Sequence, residues 1–280
     1  MRKTTTSSIV GSGRWAKRQA SCFLVFTLCF AACSSRHVPV NLEFVATWDG
    51  QPLQCSESGV RLTDLRFFIS SVTLLDSDGN ERALELLADG RWQQAGVALV
   101  DLENGAADCV NGSLAMNSRV SGITGTDEFS GLRFVVGVPF DLNHANPLTA
   151  LPPLDDAAMH WHWRSGYKFL RAGVATDGDG FWLHLGSTGC AGTVQNISGC
   201  SRPNRVLVEL ADFSPTTDQI EVDLSALFRD VDLDDGVRSD CSSGPAEVSC
   251  AEPFSALGLE FDEKTTVARP PSQSVFRVWR

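Results

Sequence analysis

Hydrophobic residues in this chain recur at every second position, in short runs separated by turn formers, and that period sets the fold class. In Leu42-Glu43-Phe44-Val45-Ala46-Thr47-Trp48 the apolar side chains at 42, 44, 46 and 48 share one face. Val206, Val208 and Leu210 alternate in the same way, as do Ile220, Val222 and Leu224. A side-chain period of two belongs to a strand with one buried face, not to a helix. Residues 60–69, 72–75, 97–100 and 131–138 are further apolar runs, and Asp76-Ser-Asp-Gly-Asn80 and Asp177-Gly-Asp-Gly180 have turn composition. Phe181-Trp-Leu-His-Leu185 follows the second turn and reads as the return strand of a hairpin with 160–170. Helical candidates are few. Residues 223–228 read as a short helix capped by Asp223 or Ser225, and 81–88 fits either helix or strand. The expectation is an all-β, β-sandwich-like single domain with short helices and disulfide-bonded loops.

The N-terminus has a different character. Arg2, Lys3, Arg14, Lys17 and Arg18 precede the apolar run Cys22-Phe-Leu-Val-Phe-Thr-Leu-Cys-Phe-Ala-Ala-Cys33. A basic segment before an apolar run too short to span a bilayer reads as a secretion signal. Ala31-Ala32-Cys33 resembles a bacterial lipobox, although Phe30 replaces the usual aliphatic residue. Residues 1–33 are therefore expected to be a signal peptide cleaved before a lipid-bearing Cys33, with ordinary signal cleavage nearby as the alternative. Residues 34–40 read as a tether, 41–262 as the domain, and 263–280 as a C-terminal tail, loosest around Pro270-Pro271. The expected location is exported, in the periplasm or at the outer membrane.

Of the 23 basic residues, five lie in the removed segment, which leaves 18 against 34 acidic ones and a net charge of −16. Such a surface repels nucleic acid and anionic lipid headgroups. Six cysteines follow Cys33: Cys55, Cys109, Cys190, Cys200, Cys241 and Cys250. An even count in an exported chain favours disulfides. Cys190 to Cys200 and Cys241 to Cys250 each close a short Gly- and Ser-containing loop, which leaves Cys55 with Cys109; this is one of the fifteen connectivities that six cysteines allow. The absence of C-x-x-C and C-x-x-C-H argues against a redox dithiol, a zinc ribbon or a covalent haem.

Met159-His-Trp-His-Trp-Arg-Ser-Gly-Tyr-Lys-Phe-Leu170 holds two of the five histidines, two of the seven tryptophans and the one tyrosine. In an extended strand His160 and His162 share a face, with Cα atoms roughly 6.5–7 Å apart. Neutral imidazoles at that reach can hold one metal ion; the plainer alternative is a half-buried strand whose histidines hydrogen-bond to neighbours. His184, on the expected return strand, would approach them across the sheet. His144, in Asp141-Leu-Asn-His-Ala-Asn-Pro147, reads as a loop histidine, and His37 lies in the tether. The acidic run Asp230-Val-Asp-Leu-Asp-Asp-Gly236 departs from a calcium loop, because its glycine is one residue late and Cys241 stands at the bidentate glutamate position. No G-x-S-x-G, P-loop or H-E-x-x-H motif occurs, and no catalytic activity is expected.

Five segments in order carry a resemblance: Asp64-Leu-Arg-Phe-Phe-Ile-Ser70, Gly131-Leu-Arg-Phe134, Val138-Pro-Phe-Asp-Leu-Asn-His144, Met159 to Phe169, and Leu183-His-Leu-Gly-Ser-Thr-Gly-Cys190. Together they resemble the MbnP-like family, also described as metallo-mystery pair four-cysteine proteins. The resemblance implies an exported, mostly β copper-binding protein. It also implies a partner, a di-haem c-type protein of the MauG/MbnH type, that oxidises a tryptophan to kynurenine, whose aromatic amine then helps histidines bind copper. Carried onto this chain, it makes His160, His162 and His184 the copper ligands and Trp163 the modified residue, with Trp161 and Trp182 as alternatives. Strand alternation puts Trp163 on the face opposite the histidines unless the strand breaks near Arg164-Ser165-Gly166. Two other readings use the same residues. One is a zinc-binding or zinc-dependent hydrolytic protein built on these histidines. The other is a carbohydrate-binding sandwich with Trp161, Trp163 and Trp182 as a stacking platform.

Overall fold

The computed structural model describes residues 37–261 and 272–280, except 57–58, 95, 111, 126, 178–179, 195 and 234–238. The signal and lipidation readings at residues 1–33, and the heart of the acidic 230–236 run, lie outside the described residues. Residues Ser35–Arg280 form one compact unit.

The strands that frame it are, in chain order, β1 Val38–Trp48, β2 Arg61–Leu75, β3 Val97–Asp101, β4 Arg119–Thr124, β5 Gly131–Val136, β6 His160–His162, β7 Gly166–Ala175, β8 Phe181–Gly186, β9 Thr188–Thr193, β10 Asn196–Arg202, β11 Val206–Ala211, β12 Gln219–Asp223, β13 Ser239–Cys241 and β14 Phe276–Trp279. The first sheet runs β14–β12–β1–β4, with β1 parallel to β12 and antiparallel to β4. The second runs β11–β5–β2–β7–β8–β13, with β3 also on β2 and β6 on β7. Strands β9 and β10 pair only with each other.

The apolar faces of the two large sheets meet. Phe44 and Phe276 of the first sheet pack edge-on against Phe67 and Phe134 of the second, with ring centroids 5.5–6.0 Å apart. The fold is therefore an all-β sandwich, as the period-two pattern requires. Leu42, Phe44 and Ala46 point into the core, and Val206, Val208 and Leu210 are buried between exposed neighbours. Asp223 caps the short helix Leu224–Leu227, its carboxylate accepting the Ala226 N–H. The three disulfides join Cys55 to Cys109, Cys190 to Cys200 and Cys241 to Cys250, the pairing that loop spacing suggested.

Four expectations need correction. The tether is shorter than 34–40, because Val38 to Val40 already pair with β4. The C-terminal tail ends in a strand: β14 pairs antiparallel with β12, and Phe276 is buried. Residues 81–88, left open between helix and strand, take the strand alternative, as Glu81–Ala83 and Glu85–Leu86, and need no correction. The stretch 160–170 is not one strand. β6 ends at His162, residues 163–165 turn, and β7 returns from Gly166, whose φ of +78° suits a glycine. Conversely, the apolar runs at 60–69 and 72–75 are one strand, β2, bulged where Ser71 takes a positive φ.

Candidate metal centre

Strand β2 is buried on both faces from Leu62 to Ser70. Leu65, Phe67 and Ile69 enter the sandwich core; Asp64, Arg66 and Phe68 point to the other side. Register builds a polar row on that side. Asp101 of β3 lies opposite Arg66, Arg66 opposite Arg171 of β7, and Arg171 opposite His184 of β8. Asp64 binds Arg66 through two 3.0 Å hydrogen bonds and Arg171 at 2.5 Å. Arg171 and Lys168 both donate to the Ala158 carbonyl, at 3.1 and 3.0 Å, which ties the chain before β6 to this face. Beside the row, Phe68, Leu99, Met159, Tyr167 and Phe169 form a second apolar cluster.

His184 is the member of the row that faces the tryptophan-rich hairpin. Its Nε2 is shut off from water and has no hydrogen-bond partner. Burial first, then the positive charges of Arg171 and Lys168, push its pKa down to about 4. The side chain is therefore neutral at physiological pH, the form in which imidazole binds metals.

The hairpin supplies three other rings. The pairing of His160 with Tyr167 and His162 with Gly166 leaves Trp161 in a register shift, so simple alternation fails there. Trp161 lies against Gly186, where a Cβ would come within 3.0 Å of the indole, and its ring is 6.4 Å from that of His184. The half-buried His160 meets Tyr167 edge-on at 5.3 Å. Its pKa is lowered by burial, then by the charges of His162 and Lys168. His162 is exposed; its Nδ1 accepts the Arg164 N–H at 3.3 Å, and its ring is 5.4 Å from that of Trp163. Trp163 sits in the turn under the Arg164 guanidinium, 4.9 Å from the ring centroid. The break near residues 164–166 thus frees Trp163 from strand alternation. Trp182 is half-buried on β8 beside Gly173.

Among the described residues, three groups bring three His, Cys or carboxylate ligand atoms within 4.8 Å of one another. They are His144 with Cys190 and Cys200, Glu103 with Cys55 and Cys109, and Glu247 with Cys241 and Cys250. In each, both cysteines form a disulfide, which has no thiolate to donate. His160, His162 and His184 form no such group; His160 meets Tyr167, His162 meets Trp163, and His184 meets Trp161. Sequence reading missed the Asp64–Arg66–Arg171 support, though its signal was present as charged residues inside otherwise apolar strands.

Comparison with known proteins decides the family. The MbnP family model matches residues 37–243. The chain belongs to the MbnP family. Its fold is similar to that of MbnP from Methylosinus trichosporium, with a TM-score of 0.75 and 26% identity over 87% of this chain and 98% of that one. No curated protein matches. The family match and the structural likeness support a metal-binding protein of the MbnP type. Two disulfides, Cys55–Cys109 and Cys190–Cys200, lie wholly within the segment matched to MbnP, and the third runs past its end.

Proposed function

We propose that this MbnP-family protein is an exported copper-binding protein without catalytic activity of its own, anchored through Cys33. Its copper site uses His160, His162 and His184 and a tryptophan oxidised to kynurenine. The observation that carries the reading is His184, a neutral imidazole whose buried Nε2 lacks any partner beside an indole. An orphaned buried acceptor costs stability unless something binds it. Copper would be held there by imidazole nitrogens and the kynurenine amine. His184 is fixed on β8, whereas His160 and His162 stand on the β6–β7 hairpin, whose Trp161 meets the His184 ring. His162 must release its contact with the Arg164 N–H if it ligates through Nδ1. Lys168 and Arg171 act on His184 as positive charges. They disfavour a divalent ion more than a monovalent one, so Cu(I) suits the site better than Cu(II) or Zn(II).

We assign the modification to Trp161 in preference to Trp163. Trp161 lies between the two hairpin histidines in sequence and meets the His184 ring, whereas the ring of Trp163 meets His162 and Arg164. A di-haem c-type partner of the MauG/MbnH type would catalyse the oxidation with peroxide as oxidant: two peroxides are reduced to water as two oxygens open the indole ring, and hydrolysis releases one carbon as formate. Conversion to kynurenine adds one oxygen and removes one carbon. Co-expression with such a partner followed by peptide fragmentation is expected to find that change at Trp161, with about one copper bound per chain. The His160→Ala/His162→Ala and His184→Ala variants are expected to lose the copper. Unmodified tryptophans together with copper retained by both variants would sink the reading.

A further inference from the structure

We propose that the hairpin disulfide Cys190–Cys200 is reducible, and that its reduced form together with His144 binds a soft cation, Cu(I) or Zn(II), through two thiolates and one imidazole. This site stands apart from His160, His162 and His184 and goes beyond the copper reading. The ligand atoms of His144, Cys190 and Cys200 already lie within 4.8 Å of one another, with His144 Nε2 3.5 Å from Cys200 Sγ.

The hairpin is built to keep two thiols together. Cys190 and Cys200 are directly opposite in the β9–β10 ladder, so the ladder holds them adjacent after the bond opens. Neither strand pairs with the two large sheets, so opening the bond breaks no ladder of the sandwich. Access differs among the disulfides. Cys200 is half-buried and lines a cleft with Phe140, Asn143, Ser198 and Arg205, and Cys55 is half-buried at another cleft, whereas Cys241 and Cys250 are both fully buried.

His144 presents the correct nitrogen. The Asn143 amide is oriented by two backbone groups: its oxygen accepts the Tyr167 N–H at 2.8 Å, and its nitrogen donates to the Ser165 carbonyl at 3.0 Å. That nitrogen also lies 3.1 Å from His144 Nε2, so Nε2 accepts and the ring proton sits on Nδ1. His144 Nδ1 has no partner, and Nε2 lies 3.5 Å from Cys200 Sγ, so a cation at the sulfur would take the Nε2 lone pair in place of the Asn143 N–H. Burial lowers the His144 pKa, which favours the neutral ring. The half-buried Arg205 adds a positive charge to the cleft, and its buried Nε has no partner; such a charge favours thiolate over thiol. Two thiolates and an imidazole select soft cations.

The chemistry balances with a dithiol reductant. The dithiol gives two electrons and two protons and becomes a disulfide itself; the Cys190–Cys200 S–S bond breaks and two S–H bonds form. The cation then displaces the two thiol protons to solvent.

The test uses the purified full chain with graded tris(2-carboxyethyl)phosphine, alkylation and peptide mass. Cys190 and Cys200 are expected to label at a reductant level at least tenfold below that needed by the buried pair Cys241–Cys250. After anaerobic removal of reductant, Co(II) is expected to bind at one equivalent with thiolate charge-transfer absorption, and Zn(II) to displace it. Competition with a Cu(I) chelator measures the monovalent arm. His144→Ala is expected to weaken binding of either ion at least tenfold, with His144→Gln as the substitute if the alanine variant does not fold. His160→Ala/His162→Ala is expected to leave the absorption unchanged, so failure of the copper reading would not touch this result. The proposal is overturned if Cys190 and Cys200 resist reduction as Cys241–Cys250 does, if the charge-transfer band is absent, or if the band ignores the His144 variants.

Discussion

Asn143 joins two parts of the molecule that are far apart in sequence. It is buried in the short helix Phe140–Asn143, and its amide holds Ser165 and Tyr167 of the tryptophan hairpin while touching His144. The contact requires a glycine at 166, for two reasons. Gly166 has a φ of +78°, and a Cβ there would lie 2.3 Å from the Asn143 carbonyl and side-chain oxygens. Gly166→Ala therefore combines left-handed backbone strain with a clash against a buried, doubly bonded amide. The expected loss is about 2–4 kcal/mol in denaturant unfolding. The hairpin histidines should move with it, so the variant should also bind copper more weakly. A variant as stable as the parent would mean that Asn143 can swing aside, and that the hairpin is not pinned as described.

At the scale of elements, the polar row across β3, β2, β7 and β8 depends on one carboxylate. Asp64 is 2% exposed and pairs with two guanidiniums. Asp64→Asn removes its charge and leaves Arg66 and Arg171 undercompensated, with Glu103 3.7 Å from Arg66 as the nearest substitute. Breaking one partner of a buried ion pair costs about 3–5 kcal/mol, and a loss of that size in chemical denaturation is expected here. A loss below about 1 kcal/mol would mean that Asp101 and Glu103 already balance both cations. This row also marks the boundary of what the sequence disclosed. The alternation at 42–48 and 206–210 names strands and their inner faces, because one face sees solvent and the other the core. Where both faces are covered, as in β2 and β12, alternation no longer separates inside from outside. Glu221 and Asp223 sit at outward positions of β12 yet are buried, with Thr47 and Arg277 as partners. The histidines were visible as residues, and their arrangement was not. It depends on the register shift at Trp161 and on the turn at 163–165, which arise from pairing with β7 and packing on Gly186. The strand at 276–279 was hidden for a related reason: four residues beyond a proline-rich stretch carry too short a pattern to distinguish an edge strand from a tail.

For the whole molecule, the polar face carries two titrating groups with opposite effects on stability. His184 has its pKa lowered to about 4 by burial and by Arg171 and Lys168, while an unfolded histidine titrates near 6.5. As pH falls from 6.5 to 4, the unfolded chain takes up a proton that folded His184 refuses, so this group removes stability toward acid. Asp101 is 3% exposed, and burial followed by the Glu103 charge raises its pKa to about 7, while an unfolded aspartate titrates near 3.8. As pH rises from 3.8 to 7, the unfolded chain releases a proton that folded Asp101 keeps, so this group removes stability toward neutrality. Over pH 4 to 6.5 the two slopes oppose each other, and the parent protein conceals both. Single variants separate them. In metal-free protein, His184→Gln should gain on the parent as pH falls below 6.5, by up to roughly 3 kcal/mol near pH 4. Asp101→Asn should gain on the parent as pH rises from 3.8, by up to roughly 4 kcal/mol above pH 7, because the amide keeps the Glu103 N–H contact without a buried charge. Urea unfolding at intervals between pH 4 and 8 measures both differences directly. A His184→Gln difference that stays flat across that range would mean that His184 titrates as an exposed histidine does, and it would remove the neutral buried imidazole on which the copper site is argued.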